Sequence, residues 1–201
     1  MCQECTRSHG VERWLKTYGD LKFNARNEDF VRHHVETYGD NGLPVWVAVE
    51  FFQFGAMNRL FSMMRDDDQT EVARRLGVTS GKKLHSLLLG TSYVRNVSAH
   101  HSRLWNRRLT TKLPKLYPTE VSEDLLHLTG QPMGDKLYST LAVMAYLVRN
   151  IAPDSRWPCR LRSLIQEFPE VPDLDPQMDM GFPDGWQQLP LWQDPPRGIT
   201  E

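Results

Sequence analysis

The stretch DKLYSTLAVMAYLVRNIA, residues 135–152, decides the fold class. It reads as a nearly continuous apolar helix, and Pro153, which cannot continue one, stops it. Working outward, LPVWVAVEFFQFGAMNRLFSMMRD at 43–66 reads as a long central core helix. Pro44 suits its start, and Glu50 and Arg59 are its rare polar interruptions. Between residues 27 and 39, NEDFVRHHVETYG predicts a short amphipathic helix ending at Gly39. Asp66 to Asp68 supply a polar break and an N-cap for QTEVARRLG, which Gly77 closes. A longer helix is expected from about Ser80 to Leu109, in a region ended by Pro114 and Pro118. WPCRLRSLIQEF, residues 157–168, is a last amphipathic helix.

The expectation is therefore an all-α helical bundle carrying a Pro-rich, acidic C-terminal tail. Residues 1–26 are expected to be poorly ordered or a short helix, residues 27–168 the helical domain, and residues 169–201 an extended tail. Trp186 and Trp192 would anchor that tail onto the body.

Composition narrows the function classes. A chain of 201 residues, 40% hydrophobic and 24% charged, can bury one well-formed core. No apolar run reaches the length a bilayer requires, and MCQECTRSHG lacks the apolar stretch of a secretory signal. A cytoplasmic protein that makes no use of a membrane is expected. The three cysteines, Cys2, Cys5 and Cys159, imply no disulfide framework. Cys2 and Cys5 with His9 could begin a zinc site, but four ligands are needed and no second pair follows, so neither metal nor cofactor is expected.

The net charge of −1 conceals a segregation. Between Val72 and Thr119 there is no Asp or Glu, yet the stretch holds Arg74, Arg75, Lys82, Lys83, Arg95, Arg103, Arg107, Arg108, Lys112 and Lys115. From Glu167 onward eight acids face only Arg197. Clustered positive charge on a nearly neutral chain points to a polyanionic partner. The bland alternative is a solvated basic face.

Two readings compete for this region. QTEVARRLGVTSGKKLHSLL, residues 69–88, has the outline of a helix-turn-helix, with Gly77 at the turn, that would bring residues 80–83 to a DNA major groove. Against it, the second helix would take its apolar residue at Lys83, whereas Leu84 carries it, and this helix runs on into LLLGTSYVRN as a core element. The second reading starts from YVRNVSAHHSRLWNRR, residues 93–108. On an uninterrupted helix, an arc of roughly 140° collects Arg95, Asn106, Arg103, Asn96, Arg107 and His100, while His101 falls outside it near 240°. No acid interrupts the arc, so it looks built for an anion. A histidine beside arginines can move a proton while a guanidinium stabilises a phosphate. In RNA the 2′-hydroxyl is a tethered nucleophile, so strand scission needs little more.

At this point the residues resemble a known family. Arg95-Asn96-Val97-Ser98-Ala99-His100 is similar to the R-x(4–6)-H signature of HEPN-domain ribonucleases, and YVRNVSAHHSRLWNR resembles the Abi-like (abortive infection) branch. LPVWVAVEFFQFGAMNRLF, NIAPDSRW at 150–157 and MGFPDGWQQLPLW at 180–192 agree with it, in order, over about residues 30–192. The resemblance implies a HEPN helical bundle, a homodimer with a composite active site, and metal-independent RNA cleavage in phage defence or as a toxin. An antitoxin or partner RNA would accompany such an activity. Arg95, Asn96 and His100 would be catalytic. His101 stands at R-x(5)-H, a spacing the signature also permits, and only the arc favours His100 over it. RNA binding would extend over Arg103, Arg107, Arg108, Lys112, Lys82 and Lys83. The alternative within the family is a non-catalytic RNA-binding module acting in a complex. One departure is a shortened N-terminus, since such proteins usually place a longer helical region before the LPVW segment. A missing lobe would expose apolar surface on the helix expected over 43–65.

Overall fold

The computed structural model describes residues 3–129 and 134–193, with residues 3–9 described by their backbone alone. It divides into two compact units, residues 1–65 and residues 66–201. The described residues are predominantly helical, with turns, irregular segments and isolated bridges between the helices and no strand among them, so the architecture is all-α.

In the first unit, α1 spans Gln3–Asn24, α2 Asp29–Tyr38, α3 Val45–Ala48 and α4 Phe54–Met63. Helix α2 ends as expected: Gly39 takes a φ of 81° and its N–H donates to the Val35 carbonyl. The single helix expected over 43–65 is instead broken. After α3 comes a 3-10 turn at Val49–Phe51, and Phe52 and Gln53 are extended before α4 begins. The cause is packing. Phe51 and Phe52 both meet α1, with Tyr18 to Phe51 at 6.3 Å and Trp14 to Phe52 at 5.5 Å between ring centroids. Adjacent residues on a continuous helix diverge by about 100° and could not share that aromatic cluster. The Trp14 indole N–H also donates to the Ala56 carbonyl at 3.3 Å, clamping α4 to α1. Val45 and Trp46 at the start of α3 are exposed.

The second unit is built around α7, Leu137–Ile151, where Leu141, Ala142, Val143, Ala145 and Tyr146 are buried. This is the stretch whose apolar run predicted a core helix. Two further long helices, α6 at Gly81–Ala99 and α8 at Trp157–Gln166, pack against α7, and α5 at Asp66–Arg75 packs against α6. The three aspartates form the first turn of α5 rather than a preceding loop, where their charge suits the positive end of the helix. Between α5 and α6, Gly77 has a φ of 72° and its carbonyl accepts the Tyr146 hydroxyl at 2.7 Å. That carbonyl ties the turn to α7.

The C-terminal segment is not extended throughout. It forms α9 at Pro176–Met180, capped by Asp175, and 3-10 turns at Trp186–Gln188 and Pro190–Trp192. Trp186 and Trp192 are fully buried, as their anchoring role requires. Around them a polar network forms inside the core. The Tyr138 hydroxyl lies 2.8 Å from His127 Nε2 and accepts the Trp192 indole N–H at 3.5 Å. Burial lowers the His127 pKa and pushes the Tyr138 pKa up to about 12. No helix among the described residues is long and apolar enough to cross a membrane.

Candidate nucleic-acid site at the end of α6

Helix α6 starts where Ser80 accepts the Lys83 N–H, and it stops well before the expected Leu109. Its C-terminus is a Schellman motif. The His101 N–H donates to the Ser98 carbonyl and the Ser102 N–H to the Val97 carbonyl, both at 3.0 Å, while His101 adopts a φ of 50°. His100 is therefore the C-cap and His101 the left-handed residue after it, a position usually held by glycine. A second turn follows, in which the Arg107 N–H donates to the Leu104 carbonyl at 3.3 Å and Asn106 has a φ of 49°.

The chain then returns beside α6 in the opposite direction. Thr110 reaches Tyr93, Leu113 packs against Gly90, and the Lys83 ammonium donates to the Lys115 carbonyl at 2.7 Å. A Cβ on Gly90 would stand only 2.5 Å from Leu113 Cδ2, so glycine permits this close approach. Burial of Leu109, Leu113 and Leu116 supplies the reason for the reversal: a helix continued past Ala99 would carry these leucines away from the core.

The arc drawn for an uninterrupted helix therefore places only part of the cluster. Arg95 and Asn96 lie exposed in the last turn, with the Arg95 guanidinium donating to Asn96 Oδ1 at 3.2 Å. His100 and His101 are exposed at the helix end. Arg103, Arg107 and Arg108 lie on the turns beyond it. Arg107 Nε donates to the Tyr93 hydroxyl at 3.2 Å and its Nη1 to the Arg103 carbonyl at 3.5 Å, so a loop residue is tied back onto the helix. Hydrogen bonds from Thr110 and Arg107 hold the Tyr93 hydroxyl below its ordinary pKa.

The remaining cations divide into two sets. Lys83 faces Glu120 at 3.1 Å and Arg108 faces Asp135 at 3.3 Å, acids that lie just beyond the acid-free stretch. Arg74 and Arg75 both pair with Glu71. Lys82, Arg95, Arg103, Arg107, Lys112 and Lys115 are exposed and form no ion pair among the described residues. Sequence reasoning overlooked Tyr93, Thr110 and Tyr117. Tyr117 is half exposed, with the Lys115 and Lys83 ammonium groups 5.3 and 5.7 Å from its ring centre. Only its position inside the acid-free stretch could have flagged it.

Other features lie elsewhere. A cleft of about 420 Å³, lined by Ile165, Phe168, Val171, Leu174 and Gln177, sits where α8 meets the tail and contains none of these residues. The Cys2-x-x-Cys5 spacing with His9 lies outside the residues whose side chains are described.

A family model described as Abi-like protein matches residues 2–106, just over half of the 201 residues. The chain belongs to the Abi-like protein family. No curated protein and no solved structure matches it. The matched span of this Abi-like protein ends within the turn Leu104–Arg107, so it includes the whole of α6 and the Arg95–His100 segment.

Proposed function

We propose that this Abi-like protein is a HEPN-type endoribonuclease that cleaves RNA through its own 2′-hydroxyl without a catalytic metal. Family membership supports an abortive-infection role in general terms. One observation carries the catalytic reading: Arg95, Asn96 and His100 are exposed together at the end of α6, beside Arg103 and Arg107, which form no ion pair among the described residues.

In the reaction, the 2′-oxygen attacks the adjacent phosphorus, the bond from phosphorus to the 5′-oxygen breaks, and a 2′,3′-cyclic phosphate and a 5′-hydroxyl form. His100 takes the 2′-hydroxyl proton or gives one to the leaving 5′-oxygen. Arg95 stabilises the charge that builds on the phosphate, and Asn96, by accepting from the guanidinium, orients it. One histidine performs one of the two proton transfers at a time. A homodimer facing two such helix ends across a groove would supply the second.

Cleavage of single-stranded RNA by purified variants tests this. Arg95→Ala and His100→Ala should each lose about 100-fold or more in rate with the helical circular dichroism unchanged, and His101→Ala should lose less. Normal cleavage by His100→Ala removes the assignment. The open setting of His100 also suits a second reading, an RNA-binding module without catalysis, which gives binding but no cyclic-phosphate product.

A further inference from the structure

The face that α6 presents to solvent extends well beyond the proposed catalytic end. Lys82, Ser86, Leu89, Tyr93, Asn96 and His100 follow one another at the spacing of a single helical stripe. Lys82, Leu89, Asn96 and His100 are exposed, and Ser86 and Tyr93 are partly so. From Lys82 to His100 the stripe spans eighteen residue steps, about 27 Å at 1.5 Å per step. The return segment flanks it along its length, with Thr110 beside Tyr93 and, at the far end, Lys115 and Tyr117 beside Lys83. Between those ends Lys112 is exposed and unpaired among the described residues.

Helix α6 contains no Asp or Glu at all. A solvated helical face gains from pairs of opposite charge at i,i+4, and this one forgoes them. Together, this face and the return segment present Lys82 and Lys112 beside the exposed side chain of Leu89 and the rings of Tyr93 and Tyr117. A single-stranded nucleic acid offers the complementary alternation of phosphates and stackable base faces. A duplex fits poorly. Entry into a major groove needs a projecting helix, and here the return segment packs alongside α6 and the Lys83 side chain folds onto it.

Resting on the nuclease reading for its polarity, we infer that the α6 stripe and the flanking 110–117 segment form a track for single-stranded RNA. The strand runs from the cleavage site at His100 toward Lys82, Lys112 and Tyr117. Phosphates several nucleotides from the scissile bond meet Lys82 and Lys112, and a base stacks at the half-exposed Tyr117 ring.

Fluorescence anisotropy of the full chain with labelled oligoribonucleotides of about 4 and about 16 nucleotides tests the track. Lys82→Ala, Lys112→Ala and Tyr117→Ala should each weaken binding of the long strand by roughly 3- to 10-fold and leave the short strand unchanged. Each lysine variant should also reduce the slope of log affinity against log salt by about 0.7. Unchanged affinity for the long strand, equal loss for both lengths, or stronger displacement by duplex DNA than by unlabelled RNA would each overturn the track. Lys82 and Lys112 are exposed, so their variants keep the test valid if Tyr117→Ala misfolds. Binding is read without cleavage, so a track with no nuclease activity and a nuclease with no track are distinguishable results.

Discussion

Arg107, eight residues beyond the end of α6, donates its Nε hydrogen to the Tyr93 hydroxyl at 3.2 Å. That contact returns a loop guanidinium to the stripe that carries Asn96 and His100. Tyr93→Phe keeps the ring and removes the oxygen that both Arg107 and Thr110 bind, and an Arg107→Ala background separates the two contributions. RNA affinity should fall roughly 3- to 10-fold, with circular dichroism and melting almost unchanged, since the lost bond is a solvent-exposed one. Combined with Arg107→Ala it should cause no further loss, because both changes remove the same interaction. Additive losses would show that Tyr93 acts independently of Arg107.

The adjacent histidines differ in backbone as well as in position. His101 holds a φ of 50° as the residue after the cap, where a side chain costs on the order of 1 kcal/mol and glycine costs none. Replacing His101 by glycine should therefore raise the melting temperature, by about 3 °C in a domain of this size. RNA cleavage should survive, because the Schellman hydrogen bonds that hold His100 are backbone bonds. A His101→Gly variant that gains stability and loses all cleavage would transfer the catalytic role to His101.

These relationships also show what the sequence could reveal. The apolar run of α7, the ending of α2 at Gly39 and the anchoring tryptophans were legible because burial and chain stops leave strong local marks. The stop of α6 at Ala99 was not. Nothing between Gly90 and Pro114 is glycine or proline, and the left-handed positions fall on His101 and Asn106, which tolerate that conformation without advertising it. Leu104 and Leu109 even continue the apolar spacing, yet they are used on a reversed chain. The break at Phe52 was hidden likewise, because its cause lies in Trp14 and Tyr18 on α1. For the candidate site, acid depletion marked the stretch between Val72 and Thr119. Folding then drew Lys83 and Arg108 to acids outside it and left Lys82, Arg95, Arg103, Arg107 and Lys112 without an ion pair among the described residues.

The His127–Tyr138–Trp192 network should set the pH limits of stability. Burial lowers the His127 pKa, so below about 6.5 the unfolded chain takes up a proton that the folded chain resists. Stability is thus full above that pH and declines as pH falls through the folded value. Tyr138 behaves in the opposite sense. With its pKa raised to about 12, stability declines as pH rises beyond about 10, where the unfolded tyrosine ionises first. Melting temperature measured across pH should show both limbs. His127→Gln should flatten the acid limb, and an unchanged limb would place the titrating group elsewhere. Tyr138→Phe should flatten the alkaline limb and cost about 1–3 kcal/mol at neutral pH, because the buried Trp192 N–H loses its acceptor.

The C-terminal segment should prove part of the folded core rather than an appendage. Trp186 is buried, packs its ring 4.6 Å from Phe182 and 5.2 Å from Trp192 between centroids, and donates its indole N–H to Gln177 Oε1 at 2.8 Å. Trp186→Ala removes this packing and opens a cavity, so it should cost about 3–5 kcal/mol in denaturant unfolding. Gln177→Ala removes only the acceptor and should cost about 1–3 kcal/mol. The order of the two losses identifies packing as the larger effect. Limited proteolysis supplies a second readout: cleavage between residues 169 and 193 should be slow in the wild type and fast in Trp186→Ala. A Trp186→Ala variant as stable and protease-resistant as the parent would mean that α7 and α8 hold their core without the segment that covers them.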